Sequence, residues 1–100
     1  MVANLTMVLA MRKRITEDAV RRMRPGSWIM CTALIGFGVR KSAKTRKVAF
    51  FVRRVLGGRD HRLTLGSHYQ LSVREARNLA RAQIVELERA AAHEIPALLK

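Results

Sequence analysis

The chain has 100 residues, with 20 Lys and Arg against seven Asp and Glu, a formal net charge of +13 and 49% hydrophobic residues. That length holds one small domain, that hydrophobic content excludes a disordered tail, and the lone Cys31 excludes an internal disulfide. A positive surplus this large calls for an anionic partner; charge alone leaves ribosomal RNA, DNA and anionic lipid open.

Residues 1–14 read as a leader, flexible or briefly pairing, with Met11 a second candidate start. MVANLTMVLAM lacks a basic n-region, and its broken apolar run falls far short of the ~20 residues of a membrane span. The expectation is a cytosolic protein with no membrane contact. ITEDAVRRM, residues 15–23, predicts a short helix with Thr16 as N-cap and Glu17 and Asp18 at the positive end of the dipole. Pro25 and Gly26 stop it. Residues 27–35, with Trp28, give no clear periodicity.

Residues 36–40 (GFGVR) predict a first strand, with Phe37 and Val39 on one face and Gly38 and Arg40 on the other. Residues 41–47 form a basic turn, and residues 48–55 the most β-prone run. Residues 56–60 are a hairpin turn, with Gly57 and Gly58 where positive φ is needed. Residues 61–65 predict a third strand and residues 66–71 a loop. Ser72 and Glu75 have capping-box spacing, and a helix follows to about Ala92, before Pro96. Its apolar stripe is Val73, Ala76, Ala80, Ile84, Leu87 and Ala91. The predicted fold is α+β: a short N-terminal helix, then a three-stranded antiparallel sheet packed on a C-terminal helix, since a core needs two layers. The domain spans residues 15–93, and residues 94–100 are a tail.

Residues 40–62 hold nine Lys and Arg against one Asp, a local balance of +8, whereas residues 72–94 hold four Arg and four Glu. The helix is therefore the support and the sheet the working surface. If Leu63 and Leu65 face the helix, Arg62 and Thr64 face away. In the central strand either Phe50 and Val52 pack inward, leaving Phe51, Arg53 and Val55 outside, or the reverse. The first arrangement is preferred because it aligns Arg53 with Arg62. A β-ribbon fits the DNA major groove, where Arg bonds guanine in a bidentate way. Lys44, Arg46, Lys47 and Arg59, in turns, would meet phosphates and set register. Trp28 and Tyr69 serve either as stacking groups or as core or rim packing, and 5% aromatics favours a duplex over a single strand.

His61, His68 and His93 are scattered, which fits structural or solvent-facing roles. GFGVR lacks the third glycine and following helix of a phosphate loop. Paired acids, a nucleophile elbow and metal-ligand spacing are all missing from the sequence, so the expectation is a non-enzyme with no cofactor and no small-molecule substrate.

ITEDAVRRMRPG followed by GFGVRKSAKTRKVAFFVRRVLGGRDHRLTLGSHYQLSVREARNLA resembles the N-terminal arm-type DNA-binding domain of phage and genomic-island integrases, which are tyrosine recombinases. GGRDHRLTLG and LSVREARNLA carry most of the likeness, which covers roughly residues 15–90. Arg54 and Val55 depart from the pattern, and the leader lies outside it. The resemblance implies a sheet laid into the major groove of double-stranded DNA. It implies contacts from Arg40, Arg53, Arg62 and Thr64, with Lys44, Arg46, Lys47 and Arg59 on the backbone. In that family recombination chemistry belongs to a separate C-terminal domain, so residues 94–100 would lead toward a missing core-binding and catalytic region. The resemblance also implies a bacterial or prophage protein of the nucleoid, with self-association possible in a full-length integrase.

Two other readings stand beside it. Helix, three strands and helix is also the order of a double-stranded RNA-binding module, which reads duplex shape. The long helix or the apolar leader would alternatively make this a protein-interaction domain for multimerisation.

Overall fold

The computed structural model describes residues 10–98, with side chains for residues 11–92. The elements in chain order are β1 (Ala10–Arg12), α1 (Glu17–Arg21), β2 (Trp28–Met30), β3 (Phe37–Lys41), β4 (Val48–Leu56), β5 (Arg59–Ser67) and α2 (Val73–Leu98). The class is α+β, as expected, but the sheet has five strands in the order β1-β2-β3-β4-β5 rather than three. It is mixed: β1 runs parallel to β2, and every other pair is antiparallel. Both added strands have three residues, too few to show an alternating pattern, and the parallel pair forms only because α1 returns the chain. β1 lies inside the segment read as a leader; residues 1–9 fall outside the described residues.

The meander β3–β4–β5 follows from its turns. Gly57 and Gly58 have φ of +58° and +78°, the two left-handed residues of a type I′ hairpin, so the strands meet directly with Leu56 opposite Arg59. Arg59 therefore begins β5 and is not a turn residue, which corrects the sequence reading. β5 also runs on to Ser67, through residues read as loop. The register jumps between Phe50, opposite Gly66, and Phe51, opposite Thr64, so Leu65 is the extra residue of a bulge. Leu65 still packs against the core, whereas Leu63 is left exposed on the edge strand.

The inner face of the sheet carries Phe37, Val39, Phe50 and Val52, all fully buried. Phe37 and Phe50 stack with ring centroids 5.9 Å apart. Against them α2 lays Val73, Ala76, Ala80 and Ile84, while α1 and its flanks add Ile15, Ala19, Val20 and Met23. This settles the central strand: Phe50 and Val52 pack inward, as preferred from the sequence. Helix ends are set locally. Thr16 Oγ1 accepts from Ala19 N at 3.1 Å. Ser72 Oγ accepts from Glu75 N while Glu75 Oε1 accepts from Ser72 N, both at 3.1 Å. The α2 helix continues past Pro96 to Leu98, where the sequence reading had it stop. A proline in the last turn removes one backbone donor without breaking the ladder through the middle.

One side chain ties the two ends of the fold. Glu17 Oε1 accepts from Val73 N at 2.8 Å, and Glu17 Oε2 lies 2.7 Å from His68 Nε2. Arg77 adds a bond to Ile15 O at 2.6 Å. The Val73 amide, then His68, hold the Glu17 carboxyl below its usual 4.5. A carboxyl depressed by folding contributes stability above its unfolded pKa, and that contribution is lost as pH falls through the folded value. Glu17→Gln is therefore expected to cost roughly 1 kcal/mol near neutral pH, as the loss of an exposed helix cap does. Thermal melts of both proteins from neutral to acid pH check this: the gap should close as pH drops below about 4.5. A gap independent of pH would mean that the carboxylate charge is irrelevant.

Candidate nucleic-acid interface

The outer face of the sheet, away from α2, is set by register. Trp28 lies opposite Arg40, Gly38 opposite Phe51, Phe51 opposite Thr64 and Arg53 opposite Arg62. Thus Arg40, Arg53, Arg62 and Thr64 share one face, as the sequence alternation requires. Arg40, Arg62 and Thr64 are exposed and Arg53 half-buried.

Phe51 also belongs to this face yet is only 6% exposed. The cause lies across the strand pair. A Cβ on Gly38 would sit 2.4 Å from Phe51 Cζ, so the ring lies over the bare backbone of β3. The result is a shallow cavity of about 630 Å³, lined by Trp28 and Phe51 with Arg40, Lys47, Arg53 and Arg62. A second cavity of about 650 Å³ shares Trp28 and Arg53 with the first and adds Arg12, Met30, Ile35 and Val55.

Lys44, Arg46 and Lys47 are exposed on the β3–β4 turn. The turn is tied by Ser42 N to Lys47 O at 2.9 Å and by Arg46 N to Ser42 O at 3.0 Å. Arg46 closes it with φ 61, a left-handed position that glycine or asparagine would fill at lower cost. Three cations of the basic segment are held differently, though Lys41 still lines the first cavity. Arg59, opposite Leu56, has the helix-side parity and does not join Arg62. Lys41 Nζ donates to Met23 O at 3.2 Å, and Arg54 Nη2 lies 3.4 Å from Glu88 Oε1 on α2.

The single acid of residues 40–62 stands beside these cations. Arg53 Nε and Nη2 donate to Asp60 Oδ1 and Oδ2, each at 3.3 Å. Those hydrogen bonds, then the positive charges of Arg53 and Arg62, hold the Asp60 carboxyl below its ordinary range. The pairing could not be read from sequence, because it depends on the hairpin register. Arg12, opposite Met30 and so on the same outer face, was missed as well; only the β1–β2 pairing brings it there. Tyr69 is 98% exposed on the β5–α2 connection, so it is not core packing. The side chain of His93 lies outside the described residues.

Among the described residues no helix is long and apolar enough to cross a membrane, and no group of His, Cys, Asp and Glu is placed to hold a metal ion. Compared with known proteins, the chain matches no family model, no curated protein and no solved structure.

Proposed function

We propose that this chain is a duplex-DNA-binding module similar to the arm-type domain of tyrosine-recombinase integrases, and that it binds DNA without cutting it. The observation that carries the reading is the Arg53–Arg62 cross-strand pair on the sheet face that α2 leaves open. Like charges directly opposite one another repel, and the one acid beside them, Asp60, is bonded to Arg53 alone. A polyanion laid against them turns that repulsion into attraction. The left-handed Arg46 supports the same reading, since a strained cation is kept where a glycine would relax the turn.

Dimensions refine the docking. Five strands spaced ~4.8 Å apart span roughly 19 Å, whereas the major groove is about 12 Å wide and admits a two-stranded ribbon. The β4–β5 ribbon enters, and Arg53, Arg62 and Thr64 meet base edges. Arg40 pairs with Ala49, four residues along β4 from Arg53, which is roughly 13 Å away. Arg40 therefore works with Lys44, Arg46 and Lys47 at the turn end, where phosphates pass. The cell compartment that follows is the bacterial cytoplasm, at the nucleoid.

Fluorescence anisotropy tests this on a duplex selected by the protein from a randomised pool, beside a scrambled duplex, at two salt concentrations. Preference for the selected duplex that persists at the higher salt is expected. Lys47→Ala should weaken binding to both duplexes alike and lower the salt slope by about one. Equal binding to both duplexes, or displacement by duplex RNA at lower concentration than by DNA, would reject the reading. A dimer that forms without nucleic acid and ignores DNA would favour the protein-interaction alternative.

A further inference from the structure

The Asp60–Arg53 fork is out of place on a surface built to meet phosphates. A carboxylate there repels DNA, and an exposed ion pair of this kind adds little to folding. The side chains are 38% exposed for Arg53 and 46% exposed for Asp60, so neither charge is buried and in need of a partner. What the pair does accomplish is geometric. A guanidinium has five N–H donors and two edges able to make paired bonds, the side edge of Nε with one Nη and the end edge of the two Nη groups. Asp60 takes the side edge, through Nε and Nη2. The end edge remains free, and its two parallel donors match O6 and N7 of guanine. Arg53 lines the open cavity on the outer face, while Asp60 lies outside that lining.

We propose that Asp60 is a positioning residue for guanine recognition: it grips the side of the Arg53 guanidinium and leaves the end to bond one guanine in the major groove. The proposal rests on the duplex-DNA reading above. An arginine already held in its binding geometry has less side-chain freedom to lose on docking, so its bonds to the base discriminate more sharply. The same carboxylate lowers attraction to any phosphate nearby. Specific and non-specific binding should therefore respond to Asp60 with opposite sign.

The test uses the full chain and the duplex that it selects from a randomised pool, with 7-deazaguanine replacing each guanine in turn to remove N7. At one position the wild type should lose about tenfold in affinity, and Arg53→Ala should abolish that loss, which identifies the guanine. Asp60→Ala should shrink the loss at that position to about twofold, while affinity for a scrambled duplex holds or rises. Asp60→Asn keeps the shape but accepts only one of the two bonds. It should fall between, and undiminished discrimination in it overturns the proposal even where the alanine variant unfolds. Equal tightening of Asp60→Ala on every duplex, with discrimination intact, makes Asp60 a mere charge and also overturns it. A wild type that binds its selected duplex but ignores every 7-deazaguanine refutes guanine recognition and leaves duplex binding standing. A wild type that binds no duplex removes both.

Discussion

Replacing Arg53 and Arg62 together with alanine is expected to weaken binding to the selected duplex by roughly 30-fold or more, at ~1–3 kcal/mol for each arginine proposed to meet a base. The two side chains face each other across β4 and β5, so each raises the positive potential felt by the other. In the free protein Asp60, bonded to Arg53 and drawn toward Arg62 as well, offsets that potential. Arg62→Ala alone should accordingly lower affinity while the melting temperature changes little, because the exposed side chain loses both its repulsion from Arg53 and its attraction to Asp60. A structural residue gives the opposite pattern, in which stability and binding fall together. Anisotropy and thermal melts on the same preparations separate the two. A fall in melting temperature that matches the fall in affinity would make Arg62 a structural residue, and the case for a DNA-facing surface would be lost.

Gly38→Ala should produce a large structural effect on the outer face. The added Cβ would meet Cζ, Cε2 and Cε1 of Phe51 at 2.4, 2.7 and 2.9 Å. A phenyl ring has no flexible end to move aside, and Phe51 is almost entirely buried. Either the ring rises into the cavity between Trp28 and Arg53, or β3 and β4 separate. Overpacking of this sort costs about 1–3 kcal/mol, which lowers the melting temperature of a domain this size by roughly 5 °C or more. The cause can be isolated in a double-mutant cycle. Phe51→Leu removes the atoms that clash, so Gly38→Ala should cost far less in that background. Additive effects would show that Gly38 is needed for some reason other than the ring above it.

What the sequence makes legible here is what local chemistry decides. Ser72 and Glu75 stand three residues apart and cap α2 reciprocally. The alternation of Phe50, Val52 and their partners places Arg53 and Arg62 together because a strand has a period of two. The parts that escape reading depend on distant residues. Trp28–Met30 becomes a strand only with Phe37–Lys41 on one side and Ala10–Arg12 on the other. Arg54, one step out of pattern for the family resemblance, takes an inward position answered by Glu88, 34 residues later. Leu65 reads as one more inward residue of β5, and only the pairing of Gly66 with Phe50 reveals the bulge. Of the basic segment, total charge is plain from composition, but the diversion of Arg54 and Arg59 from the outer face is not.

The bond from Val73 to Glu17 joins residues 56 apart and has a bearing on how the chain matures during synthesis. β1, α1 and β2 leave the ribosome before the meander, yet the amide that fastens α1 to the rest belongs to the first residue of α2. The β3–β4–β5 meander needs only its own short turns and can form at once, with Phe37 and Phe50 bare on one side. Until Val73 to Ile84 emerge to cover those rings, the nascent protein carries a finished cationic surface backed by an unfinished apolar one. A pause that keeps residues 73–84 inside the ribosomal exit tunnel while the meander already stands outside would hold it in its stickiest form, exposed to its neighbours on the polysome.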